Sequence, residues 1–239
     1  MMVLYRIIVL NDTHHYFAVI MSPWHGGYES PCPQYDYMIR KNSKIFNILK
    51  QKNSSKSLFD DFMVGFCPKK EVCPSCRSTG NCINHAYYDR MIIDYISGNV
   101  VVKTVHILRV KCKSCGHTHA ILPDFIIPYS SYGLFFVLQV LTRLFLKINT
   151  LESLCEKYDV DLKTIRRWIT VFQKHKRLSL GSLQDSSVSR SAFIRQIIEN
   201  DFSLFLQDFL TATSYSFLQT HRNPANCHRL VPTWFFDQI

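Results

Sequence analysis

Two Cys-x-x-Cys pairs, Cys73-Pro74-Ser75-Cys76 and Cys112-Lys113-Ser114-Cys115, carry the clearest chemistry in the sequence. Two pairs supply four thiolates, the donor set of a closed tetrahedral Zn²⁺ site. A site with all four positions filled by protein holds structure and leaves no open position for catalysis. Gly116 follows the second pair, and a glycine there suits the tight backbone of a metal knuckle. The expected ligands are therefore Cys73, Cys76, Cys112 and Cys115, with Zn²⁺ as the cofactor. A redox role is the weaker reading, because one pair suffices for it and no βαβ pattern surrounds either. Cys67, Cys82, His85, His117 and His119 lie close in sequence, and any one of them is able to replace a cysteine ligand.

The elements that must position these thiols are short strands. Tyr87 to Tyr95 reads as one and Val100 to Val110 as the next, with Ser97-Gly98-Asn99 as the turn between them. Knuckle, hairpin, knuckle is the build of a zinc ribbon, in which the metal fastens a sheet too small to be stable alone. From residue 131 the pattern turns helical. Ser130-Ser131 is expected to cap a helix reaching about Lys147. Asn149-Thr150 is expected to cap a second, Leu151 to Tyr158, and Asp161 a third, Leu162 to about Lys176. Helix, short turn and helix give a helix-turn-helix outline, fixed by Leu154, Val160, Ile165, Trp168 and Ile169. The first turns of its second helix then face DNA.

Charge agrees with that outline. The chain of 239 residues carries a formal charge of +10, and it is unevenly spread. Residues 40–57, 101–117 and 162–178 are basic and free of acids, whereas residues 182–239 have slightly more acids than arginines. A polyanion is the natural partner of such a surface. Lys163, Thr164, Arg166, Arg167 and Lys174, together with Lys111 and Lys113 beside the second knuckle, are the expected DNA contacts.

No catalytic constellation emerges. Strand-transfer chemistry needs three carboxylates around two metal ions. Asp185, Glu199, Asp201, Asp208 and Asp237 read instead as caps and solvent faces. Cys155 reads as core, and Cys227-His228 lacks an orienting third group. The start of the chain has no secretory pattern and the cysteines are paired for metal, so a reducing cytoplasm is expected. The apolar stretch Leu134 to Ile148 is too short and too polar to span a bilayer, so no membrane partner is expected.

Several stretches together resemble a known pattern. They are Cys73 to Cys76, Asp89-Arg90-Met91-Ile92-Ile93-Asp94, Leu108 to Cys115, and Thr118-His119-Ala120-Ile121-Leu122-Pro123-Asp124-Phe125-Ile126-Ile127-Pro128-Tyr129. They resemble an uncharacterised bacterial domain family, itself similar to the zinc-ribbon and helix-turn-helix N-terminal part of insertion-sequence transposases. The resemblance covers about residues 67–175. It implies sequence-specific DNA binding in a mobile-element setting, with the four cysteines as ligands.

The expected fold is α+β in four parts: 1–66, a small β region with a mobile basic loop at 41–57; 67–128, the zinc ribbon; 129–178, the helix-turn-helix; and 179–239, C-terminal helices and tail. Val3–Leu10 and Tyr16–Ile20 are the expected N-terminal strands, 178–188 a polar linker, and 189–219 two helices. The C-terminal helices are expected to dock a protein partner or a second copy. The expected function is zinc-dependent DNA binding by a transposon accessory factor or a regulator. A protein-interaction scaffold, with Trp234-Phe235-Phe236 as an interface, is the alternative, and a metal-dependent transposase or nuclease the third reading.

Overall fold

The computed structural model describes residues 54–213 and 215–220, together with the backbone of three short strands. These are β1 (Ile7–Ile8), β2 (Phe17–Ala18) and β3 (Met38–Lys41). β1 and β2 pair antiparallel, within the two stretches expected to be strands. The Asn11-Asp12-Thr13 turn, the body of the 41–57 loop and the Trp234-Phe235-Phe236 tail lie outside the described residues.

A long hairpin dominates the β part. β4 (Cys82–Ile96) and β5 (Asn99–Cys112) pair antiparallel along their whole length. Both run further than the sequence suggests and end at the cysteines. Ser97 (φ 50°) and Gly98 (φ 90°) close the hairpin. Two consecutive positive φ values are what a tight two-residue hairpin turn needs, so Asn99 is freed to begin the strand. A bulge at His85 shifts the register between Asn84 and Ala86. β6 (Thr118–Pro123) then pairs antiparallel with β5, and β3 adds parallel to β6, giving the order β3-β6-β5-β4.

One face of this sheet is covered by the helices, and the other only toward its cysteine end. Cross-strand partners share a face. Ile92, Val105, Ile107, Ala120 and Leu122 face a large core built with the helices. Leu108, Val110, Cys82 and Cys112 face the other way, into a small second cluster with Cys73 and Ile121, against which Phe62, Met63 and Phe66 pack.

Among the described residues, six α-helices complete the α+β fold: α1 (Ser55–Met63), α2 (Leu134–Phe145), α3 (Leu151–Tyr158), α4 (Leu162–Asp185), α5 (Arg190–Glu199) and α6 (Phe202–Thr213). α1 corrects the reading of 41–57 as a loop throughout. Lys41 ends β3, and Ser55 to Ser57 form the first turn of α1, capped by Ser54. Ser130 and Ser131 do not cap α2. Ser130 Oγ serves the turn at Tyr132, and the Ser131 carbonyl accepts from the Ile93 N–H at 2.7 Å. α2 starts after Gly133 with no side-chain cap. Thr150 and Asp161 do cap α3 and α4, accepting from the N–H groups of Ser153 and Thr164. Residues 178–185, expected as linker, continue α4 past a kink at Gly181 (φ 74°, ψ 164°). Lys176 secures this extension by donating to both the carboxylate and the carbonyl of Asp185 at 2.6 Å.

The large core is continuous. Phe136 and Val137 of α2, Leu154 of α3, Ile165, Trp168 and Phe172 of α4, Phe193 and Ile197 of α5 and Phe209 of α6 all belong to it. Asp159 adopts a left-handed conformation (φ 50°) that stops α3, and its neighbour Val160 drops into the core. Leu154, Val160, Ile165 and Trp168 are buried as expected, and Ile169 packs at the edge. No helix among the described residues is long and apolar enough to cross a membrane.

Candidate metal centre

The base of the hairpin brings the four cysteines of the two pairs together. Their sulfur atoms all lie within 4.8 Å of one another. Cys73 and Cys115 are 3.6 Å apart, as are Cys76 and Cys112, so none is disulfide-bonded. A tetrahedral metal with a metal–sulfur distance of about 2.3 Å separates neighbouring sulfurs by about 3.8 Å. The four thiols therefore fit a metal ion such as zinc.

The two knuckles repeat one backbone design. Arg77 N–H donates to the Cys73 carbonyl and Gly116 N–H to the Cys112 carbonyl, each at 2.9 Å. Cys73 N–H donates to Ser78 and Cys112 N–H to His117, at 3.0 and 2.9 Å. Each turn needs a left-handed residue after its second cysteine. Gly116 (φ 77°) fills that position freely, while Arg77 (φ 61°) does so with a side chain. Lys113 N–H donates to the Asn81 carbonyl, tying the knuckles to each other.

The electrostatics explain why such a set wants a cation. Burial opposes ionisation of Cys112. Hydrogen bonds from Ser78 and from the backbone N–H groups of Cys115 and Ser114 outweigh it and bring the thiol down to about 5. Cys76 is lowered by Ser78, through backbone and hydroxyl. The His117 N–H pulls Cys115 down, but burial and the three neighbouring sulfurs push it up to about 12. Four clustered thiolates repel one another unless a positive ion sits among them.

The neighbouring residues take other places. His119 is buried, with Nε2 3.3 Å from the Cys73 sulfur. In the tautomer protonated on Nε2 its ring donates to that sulfur, the role of an outer partner that orients a ligand. Cys82 is buried in the small core, and burial raises its thiol to about 11. His85 sits in the bulge and His117 in the second knuckle, both exposed, and Cys67 precedes a short 3-10 turn at Pro68–Lys70. Ser78, with Oγ 3.5 Å from the Cys112 sulfur, is a contributor that the sequence pattern does not single out.

The basic residues divide between two places. Lys111 and Lys113 are exposed on either side of Cys112. Lys163, Arg166, Arg167 and Lys174 are exposed on α4 and Thr164 is half-buried, while Ile165, Trp168 and Phe172 of the same helix are buried. Lys163, Arg166 and Arg167 make no ion pair among the described residues. Lys176, of the same basic run, is buried against Asp185 and so is not part of that face. Cys155 packs at the margin of the large core, and Cys227-His228 lies outside the described residues.

Residues 73–168 match the model of a family described as a domain of unknown function, DUF6431. The match begins at Cys73 and ends at Trp168 of α4. No curated protein and no solved structure matches the chain.

Proposed function

We propose that this chain is a zinc-dependent DNA-binding protein. In this reading the cysteine-clasped hairpin is a zinc ribbon holding Zn²⁺ on Cys73, Cys76, Cys112 and Cys115. Helices α3 and α4 form a helix-turn-helix whose second helix presents Lys163, Thr164, Arg166, Arg167 and Lys174 to the groove, with Lys111 and Lys113 on phosphates. The protein serves a mobile element as an accessory factor, or regulates transcription, from the cytoplasm and without a catalytic core of its own.

The observation that carries the reading is the face of α4. Its first turns expose Lys163, Arg166 and Arg167, none in an ion pair among the described residues and only Arg167 in the field of an acid, the capping Asp161, on a helix anchored from behind by Ile165, Trp168 and Phe172. A surface that gathers three cations on one helix with no close ion pair suits a polyanion better than solvent alone.

A gel-shift titration over salt tests it. Each neutralised phosphate contributes a slope of about −0.9 in log K against log[salt] on duplex DNA. A flat plot removes the reading. Arg166→Ala or Arg167→Ala weakens binding by ~1–3 kcal/mol where a bidentate base contact is lost. A second reading, protein docking, draws on the exposed Tyr87, Met91 and Val102 along one face of the hairpin. Salt-insensitive retention of a protein and no retention of DNA is the outcome that favours it.

A further inference from the structure

On the helix-facing side of the sheet lies a cavity of about 330 Å³, lined by Tyr88, Arg90, Arg109, Ala120, Leu122 and Tyr129, with Pro128. Neither the cysteine cluster nor the α4 face contributes to it. Its lining holds two guanidinium groups and no carboxylate. The register explains how they meet: Ala86 pairs with Arg109, Tyr88 with Ile107 and Arg90 with Val105, so Tyr88, Arg90 and Arg109 stand on one face. Ala120, the partner of Arg109 on β6, supplies the apolar floor with Leu122.

Among the described residues, neither cation has an acid as ion-pair partner. Arg109 donates from Nη2 to Thr118 Oγ1 at 2.9 Å. Its Nε is closed off from solvent and finds no acceptor. Arg90 donates from Nη2 to the carbonyls of Ile127 and Ser130 and makes no ion pair among the described residues. Unpaired charge in a partly buried setting is unfavourable, and a buried donor without an acceptor asks for an explanation.

The loop at the rim gives a second observation. Tyr129 holds a left-handed backbone (φ 59°), unfavourable for a bulky side chain. The carbonyls that Arg90 grips, those of Ile127 and Ser130, lie on either side of it. Arg90 therefore clamps the loop whose Tyr129, 55 % exposed, lines the cavity together with Tyr88. Strain of this sort concentrates where a ligand is gripped.

We propose that this cavity is a nucleotide-phosphate site. Arg109 is the principal cation for the phosphate, Arg90 supplies the second positive charge, and the Tyr88 and Tyr129 rings offer faces for the base. Arginine suits phosphate because its fork of donors matches the oxygens, and aromatic rings stack on any base. The volume lies at the low end for small-ligand sites and suits a single nucleotide unit. That unit comes either from a free mononucleotide or from the 5′-phosphorylated end of a strand. The inference is independent of duplex binding by α4.

Calorimetric titration of the full-length, zinc-loaded protein tests it, with adenosine 5′-monophosphate, adenosine, inorganic phosphate, and a hexadeoxynucleotide with and without a 5′-phosphate. The phosphorylated probes are expected to bind at least about tenfold tighter than their unphosphorylated counterparts, the size of a lost charged hydrogen bond. The mononucleotide binding as tightly as the phosphorylated strand assigns the free ligand; a tighter strand assigns the strand end. Arg109→Gln abolishes the difference while thermal unfolding stays in place. If Arg109→Gln fails to fold, Tyr129→Gly relieves the backbone strain and removes a ring: the mononucleotide weakens and inorganic phosphate does not. Equal binding of adenosine and its monophosphate, no binding by any phosphorylated probe, or mononucleotide binding that survives the variants overturns the proposal. A chain that shifts duplex DNA but ignores every small probe loses this inference alone.

Discussion

The two ends of the hairpin are held by different physics. Toward the tip, the sheet leans on α2 to α6 through a continuous apolar core rich in aromatic contacts: Phe172 meets Phe145 at 4.9 Å, Phe193 at 5.7 Å and Phe217 at 6.1 Å between ring centroids. Toward the base, the buried cluster shrinks to Cys73, Cys82, Leu108, Val110, Cys112 and Ile121. So small a cluster has little apolar area to bury, and half of it is cysteine. A core of that size does not hold a sheet end without help from a metal or a cross-link. The same two strands thus run from a region stabilised by burial into one that a metal ion on the four thiols would stabilise.

Chelation is the strongest way to break this contrast. Structural zinc supplies about 10–16 kcal/mol of apparent free energy to small zinc-binding peptides near neutral pH. Stripping the metal, or Cys112→Ser, is expected to drop the zinc stoichiometry and to release hydrogen-exchange protection at residues 73–86 and 108–119. Amides of α2, α4 and α5 keep theirs. A single transition that takes the helices down as well means the two ends are one cooperative unit. Unchanged zinc content in Cys112→Ser removes the metal centre altogether.

The reverse experiment attacks the other end. Phe172 is fully buried among three rings. Phe172→Ala is expected to lower the stability of the helical region by about 3–5 kcal/mol, the lost burial plus the cavity left behind. Metal content at the cysteines stays the same. Denaturant unfolding followed by helical circular dichroism, with zinc release measured in parallel, reads both. Zinc released in step with the helices contradicts independent ends.

The contrast also marks what the sequence discloses. The cysteine end is legible because Cys-x-x-Cys spacing is a local geometric demand, and the knuckle turn shows in Gly116. The helix pair α3 and α4 is legible for a like reason: Thr150 and Asp161 are local caps, and Leu154, Ile165 and Trp168 follow helical spacing. What the sequence hides is set at long range. β6 is buried at five of its six positions, so it lacks the alternation that betrays a strand covered on one side only. α1 sits at the end of a lysine- and serine-rich stretch whose composition reads as loop, and only Leu58, Phe59, Phe62 and Met63 carry its apolar face. The polar run after Lys176 reads as linker because the Lys176–Asp185 bond that holds it helical spans the kink at Gly181. The Arg90 and Arg109 cavity shows only once the register puts residues distant in sequence on one face.

The smallest test sits where α1, the hairpin and α2 meet. Asp94 is buried, and its two oxygens accept from the N–H and the hydroxyl of Ser55, both at 2.8 Å. A methyl group on Gly133 would stand 2.3 Å from the nearer oxygen, so the carboxyl group is walled in. Burial raises its pKa above the ordinary carboxylate value, although both bonds from Ser55 pull the other way. A carboxyl group with a raised folded-state value favours the fold below its unfolded value. That contribution is lost as pH rises through the folded value. When protonated, the acid accepts from the Ser55 N–H and donates to its hydroxyl, and an asparagine amide does the same. Asp94→Asn should therefore match the parent protein in acid and gain on it as pH rises toward neutral, read as the difference in melting temperature across that range. If the asparagine variant instead loses ground as pH rises, the Ser55 bonds at the start of α1 outweigh burial, and Asp94 belongs among the ionised caps rather than the walled-in acids.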